Sequence, residues 1–108
     1  MNAKLHARGG SAYLVSVPEP LPRRIVRYWP HPTRDGTYFV REFELRQHAP
    51  DSAAYRELPS DDAVVLRAQD ETPRCANGHT AVRFLYVSDP QPGRRVELCR
   101  ACYEAAFA

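Results

Sequence analysis

Apolar and polar side chains alternate with a period of two along much of this chain, the repeat of strands that bury one face. Residues 12–17 read as a short strand, and residues 24–29 and 37–47, rich in β-branched and aromatic side chains, read as two more. Asp35-Gly36 lies between the last two, so they are predicted to pair as an antiparallel hairpin. In the second of them Phe39, Arg41, Phe43 and Leu45 share one face and Tyr38, Val40, Glu42 and Glu44 the other. The first set should meet a core, which obliges Arg41 to reach the rim or find a carboxylate, because a buried unpaired guanidinium is costly. Residues 81–87 alternate again, with Val82, Phe84 and Tyr86 opposite Arg83, Leu85 and Val87. A turn at 89–93 and a returning strand at 94–98 follow.

The segments between are less regular. Residues 1–11 read as a flexible arm hinged at Gly9-Gly10, and the alternate prolines of 18–22 as a polyproline connector. Residues 49–60 are polar, with at most one helical turn at 52–57. The pattern at 61–69 favours a helix capped by Ser60 over the competing strand at 63–68. Residues 103–108 can form a short helix with Cys102 at its start. The fold expected is α+β and mostly antiparallel β: an arm (1–11), a β-rich body (12–72) and a C-terminal module (73–108) made of a stapled β-hairpin and a short helix.

The staple is chemical. The chain's three cysteines, Cys75, Cys99 and Cys102, stand with His79 in the order Cys75-Ala76-Asn77-Gly78-His79, hairpin, Cys99-Arg100-Ala101-Cys102. An odd cysteine count leaves a thiol over in any all-disulfide scheme, whereas three thiolates and one imidazole complete a closed tetrahedral shell, the donor set of structural zinc. One structural Zn2+ per chain is therefore expected, with Gly78 providing the permissive backbone of the first turn. Should His79 not serve as the fourth ligand, His48 and Asp89 are the substitutes. Knuckle, hairpin and a ligand pair entering a helix, over residues 74–108, resemble a treble-clef zinc finger, and the Cys-x-Asn-Gly-His turn resembles a knuckle of some bacterial zinc ribbons. The resemblance implies a metal and a local fold; modules of this kind occur in ribosomal, transcription, DNA-repair and phage proteins and also as plain staples.

Composition narrows the function less. At 108 residues the chain suits one small domain with a metal-stapled module. Its formal charge is only +2, spread as +4 over residues 1–48, −4 over 49–72 and +2 over 73–108, so charge alone singles out no nucleic-acid partner. There is no apolar run of signal-peptide or membrane-spanning length, and reduced cysteines fit a cytoplasmic protein with no membrane partner. No glycine-rich phosphate loop or zinc-protease motif appears. The acidic pairs Asp61-Asp62 and Asp70-Glu71, like His6, His31 and His48, have no positioned partner, so neither catalytic residues nor a small-molecule substrate are expected. Cys99-x-x-Cys102 lies six residues from the end of the sequence, unlike a redox dithiol that opens a long helix early in a βαβ unit, and thiol redox stays a minor alternative.

The expectation is a non-catalytic zinc-binding protein that acts as a protein–protein interaction module or accessory subunit of a larger bacterial or phage assembly. The alternative is a nucleic-acid-binding finger. The surface that either partner would touch is Arg83, Arg94, Arg95 and Arg100 around the finger, with Arg23, Arg24 and Arg27 beside Tyr28 and Trp29. The two readings differ in where the arginines should sit: in one open basic stripe for nucleic acid, or paired with acids for a protein partner.

Overall fold

The structure, a computed structural model, describes residues 1–30, 33, 38–59, 65–67, 74–80, 83–91 and 93–107, and of residues 29, 30, 65–67 and 89–91 the backbone alone. It is built on one mixed sheet. The strands are β1 (Asn2–His6), β2 (Ala12–Ser16), β3 (Arg24–Pro30), β4 (Tyr38–Ala49), β5 (Ser52–Glu57), β6 (Val65–Arg67), β7 (Phe84–Gln91) and β8 (Arg94–Leu98), followed by helix α1 (Arg100–Ala106). Their order is β2-β1-β5-β4-β3-β7-β8, with β6 pairing beside β5 on the long strand β4. All described pairings are antiparallel except β1 with β5.

The alternation places successive residues of β3 in different cores. Ile25 joins Leu5, Phe43, Tyr55, Tyr86, Leu98 and Tyr103 on one face, while Val26 and Tyr28 join Leu85, Val87 and Cys75 on the other. Both faces of the β3–β7 region are thus buried, which is why β7 is apolar on both sides. Helix α1 lies against β7 and β8 on the first face, where Tyr103 meets Tyr86 with ring centroids 5.9 Å apart.

Three expectations are corrected. Residues 2–6 are no part of an arm: β1 runs between β2 and β5, with Ala3 and Leu5 buried in the first core. Its Asn2-Ala3-Lys4-Leu5-His6 alternation is that of a half-buried strand. Residues 52–57 form β5 rather than a helical turn, because Ala53 and Tyr55 alternate into the same core. Residues 65–67 form a strand against Tyr38–Val40 in register, so β-branched preference wins over the helix expected at 61–69. Residues 60–64 and 68–73, and the Asp35-Gly36 turn, lie outside the described residues. The expected reversal at 89–93 shrinks, since β7 continues to Gln91 and Gly93 turns the chain with φ +79°.

Arg41 meets the condition set by its position. Its guanidinium lies 3.4 Å from Glu57, whose side chain is only 6% exposed, and the second carboxylate oxygen of Glu57 accepts from the Arg8 backbone N–H. The connector 18–22 crosses from β2 to β3 with Pro18 and Pro22 fully buried. Tyr55 donates to the Pro22 carbonyl and Tyr103 to the Pro20 carbonyl, each at 2.6 Å. Burial pushes both phenols above their ordinary range, so they stay protonated donors.

Leu5→Ala is expected to cost about 2–4 kcal/mol, whereas Leu14→Ala, on a side chain 73% exposed, should change stability by less than about 0.5 kcal/mol. Urea unfolding of the two variants checks this. Equal, small effects would mean that residues 2–6 are an arm after all.

Candidate metal centre

Two chain reversals bring the four ligand residues together. In the first, Gly78 takes φ +86°, Gly78 N–H donates to the Cys75 carbonyl and Cys75 N–H to the His79 carbonyl; Arg74 and Thr80 bridge beyond it. Ala76 N–H then donates to the Glu97 carbonyl, seating this knuckle on β8. In the second, β8 ends at Leu98 and Cys99, in extended backbone, becomes the N-cap of α1, which brings Cys102 into the first turn of the helix.

Helix α1 has seven residues, too few to hold itself, and its orientation is set from outside. Arg100 donates to the Ser16 hydroxyl and to the Ser16 and Val17 carbonyls, and Tyr103 reaches Pro20. Cys102 consequently packs against both cores, while Cys75 is buried in the second.

The ligand atoms of Cys75, His79, Cys99 and Cys102 all lie within 4.8 Å of one another. Cys75 and Cys102 sulfurs are 3.9 Å apart, and His79 Nδ1 lies 3.1 Å from Cys102 Sγ and 3.8 Å from Cys99 Sγ. A tetrahedral ion with bonds of about 2.3 Å to sulfur and about 2.0 Å to nitrogen sets such atoms about 3.5–3.8 Å apart. The residues fit one metal ion, and His79 presents Nδ1 to it. His48 is not in the cluster; it is exposed on β4 opposite Ala53. The side chain of Asp89 lies outside the described residues.

Electrostatics prepares one thiol ahead of the others. Burial disfavours charge on Cys75, but backbone N–H groups of Cys99, Asn77 and His79 and the Cys102 thiol turn toward it and lower its pKa from 9.0 to about 6. At Cys102 the Asn77 side chain favours the thiolate, yet the Cys99 and Cys75 sulfurs, with burial, outweigh it and raise the pKa. Thiols this close cannot all ionise without a cation between them.

The other surface residues named from the sequence scatter. Tyr28 is buried, 2% exposed, and donates to Glu97. Arg27 stacks over Tyr13 at 4.4 Å, and Arg24 bridges Glu42 and Glu44, each at 3.2 Å. Arg95 also pairs with Glu42, and Arg100 pairs with Glu104 besides its bonds to 16–17. Arg23, Arg83 and Arg94 are exposed; the side chain of Trp29 is outside the described residues. Glu57 was missed as a structural residue, and only its register opposite Phe43 in the β4–β5 ladder could have revealed it.

Comparison with protein-family models, with curated proteins and with solved structures finds no match.

Cys99→Ser or Cys102→Ser is expected to abolish tight metal binding, since metal and folding free energies of about 10–16 kcal/mol are shared in small sites of this kind, whereas His79→Cys should retain it. Isothermal titration with chelator competition separates them; unchanged affinity in His79→Ala would remove His79 from the shell. The lowered Cys75 pKa gives a pH window. In the metal-free protein its thiolate contribution is complete above the ordinary thiol pKa of 9.0 and is lost as pH falls through about 6, below which Cys75 also binds a proton that a metal must displace. Affinity measured from pH 8 to pH 5 should fall throughout, because Cys102 with its raised pKa takes up a proton over the whole range, and should fall more steeply below about 6, where Cys75 is protonated as well; an unchanged slope across 6 would contradict this.

Proposed function

We propose that the chain is a zinc protein in which the ion is a closed structural staple, and that it works without catalysis, as an interaction module for another protein. Zinc is preferred because three thiols and an imidazole gathered within 4.8 Å of one another match its donor preferences. With four protein ligands no coordination position remains for water, so the ion has no Lewis-acid or hydrolytic role in this reading. The treble-clef likeness belongs to the same proposal, resting on the order of knuckle, hairpin and helix.

The observation that carries the choice of partner is the engagement of the arginines. A nucleic-acid surface needs guanidinium groups aimed outward beside exposed rings. Of the seven arginines named, Arg24, Arg95 and Arg100 hold Glu42, Glu44, Glu104 and main-chain carbonyls and Arg27 covers Tyr13, which leaves Arg23, Arg83 and Arg94 exposed; of the two rings beside them, Tyr28 is buried. The strand β2 adds support. Among the described residues it is paired on one side only and exposes Leu14, features that suit a protein surface.

Protein purified without added metal should contain about one zinc per chain, and a well-folded metal-free monomer would sink the staple. Capture from nuclease-treated native lysate, followed by reconstitution from purified components, should give a stoichiometric protein complex. Micromolar or tighter binding of random DNA or RNA at physiological salt, lost together with about two units of log–log salt slope in Arg94→Ala/Arg95→Ala, would overturn the protein-partner reading.

A further inference from the structure

The sheet ends in β8 at one edge and in β2 at the other, and the two edges are finished differently. β8 carries Arg94, Arg95 and Glu97, and the knuckle lies along it with Ala76 N–H on the Glu97 carbonyl. Charges and a covering turn are the usual guards of a strand edge. β2 is guarded by neither among the described residues: from Gly9 to Val17 the chain holds no charged side chain, and Leu14 is 73% exposed.

The ladder on the inner side fixes which backbone groups of β2 face outward. Met1 and Val17 donate to each other's carbonyls, and Ala7 N–H donates to Ser11, so the odd-numbered residues are the ones bonded to β1. Ala12, Leu14 and Ser16 therefore turn their N–H and C=O groups away from the sheet. This open edge is limited at both ends. Gly10 N–H is taken by the Ala7 carbonyl, the Ser16 carbonyl accepts from Arg100 at 3.2 Å, and Pro18 has no N–H.

We propose that β2 pairs antiparallel with β2 of a second copy of this chain, about a two-fold axis through Tyr13. In that register Ala12 of each copy faces Leu14 of the other, and every free N–H meets a free C=O. Gly10 faces Ser16, which sets the engaged Gly10 N–H against the engaged Ser16 carbonyl and leaves the Gly10 carbonyl for the Ser16 N–H. Other registers fit worse. An axis through Leu14 aims Ala12 N–H at the carbonyl that Arg100 occupies, and an axis through Ala12 aims the Leu14 carbonyl at the Gly10 N–H already used in the turn.

The edge thus complements itself, which is the argument for a second copy as occupant. With no charge from Gly9 to Val17, no like charges meet across the axis. The end crowded by Arg100 faces Gly9 and Gly10, where a Cβ would have nothing within 4 Å. The two Leu14 side chains become diagonal neighbours on one face. Pairing covers both β2 edges and leaves only the guarded β8 edges, so assembly closes at the dimer. The inference goes beyond the interaction-module reading and does not depend on it.

Sedimentation velocity of the zinc-loaded full chain, from about 5 μM to about 1 mM, should show a monomer–dimer equilibrium with a micromolar midpoint, as suits one strand pair. Amide hydrogen exchange should show Ala12 and Leu14 gaining protection as the dimer forms, while Tyr13 and Val15, bonded to β1, are protected throughout. Ala12→Pro removes a donor that faces away from β1, and Leu14→Lys sets two ammonium groups at diagonal positions. Each should weaken dimerisation at least about tenfold, whereas Arg94→Ala, at the other edge, should leave it unchanged. Leu14→Lys lies on an exposed side chain, so its zinc content and circular dichroism should match the parent's, and it keeps the test decisive if proline disturbs the strand. A chain still monomeric at about 1 mM, a dimer indifferent to Leu14→Lys, growth past the dimer, or no added protection at Ala12 and Leu14 overturns the proposal. So does a chain that stays monomeric alone and gains that protection only from a purified heterologous protein, which then owns the edge. A dimer with these properties and no heterologous complex leaves this inference standing while the module reading fails.

Discussion

Three thiols and an imidazole held within 4.8 Å of one another make a centre that repels its own ionisation, and a bound cation is what turns that repulsion into cohesion. The consequence reaches past the knuckle. Cys75 belongs to the core on one face of the sheet, and Cys102 touches that core and the one on the opposite face, where its neighbour Tyr103 packs. An ion held between them would fasten a helix on one side of β7 and β8 to a turn on the other. Neither could persist alone: α1 is seven residues long, and the knuckle is held through Ala76 to the edge of β8.

This arrangement also explains how a chain of 108 residues can bury both faces of the same two strands. One layer of sheet with one helix has little material to cover a second face. The knuckle supplies part of that cover by placing Cys75 over Val26, Tyr28, Leu85 and Val87. On the first face, Arg100, Tyr103 and Tyr55 fasten the proline connector through its carbonyls. Prolines cannot donate to a ladder, so side-chain donors satisfy the acceptors that this crossing presents.

The elements legible in the sequence were those whose periodicity is local and long. The strands β3 and β4 follow from β-branched and aromatic content, β7 from alternation and β8 as its return after a turn, and the ligand set from cysteine count and spacing, because knuckle and hairpin pairing involve neighbours in the chain. What escaped depends on distant partners. In β1 the alternation of Ala3 and Leu5 is short, and it becomes a strand through parallel pairing with β5, roughly fifty residues on, which no local pattern encodes. The same holds for 52–57, whose Ala-rich composition argues weakly for a strand until Ala53 and Tyr55 find the core. Tyr28 beside Trp29 read as surface for an equally tertiary reason: the face it occupies is closed by the knuckle.

The candidate metal centre lies toward one end of the sheet, with β7, β8 and α1 on its side of β3 and β4, β5 and β1 on the other. The continuous hydrogen-bonded ladder joins the two halves, so an ion held at the four-residue cluster would steady one flank of the whole sheet. Charge is distributed accordingly. Toward the metal centre Arg24, Arg95 and Arg100 are held in internal pairs while Arg83 and Arg94 stay exposed; across β3, the buried carboxylate Glu57 is turned inward to Arg41.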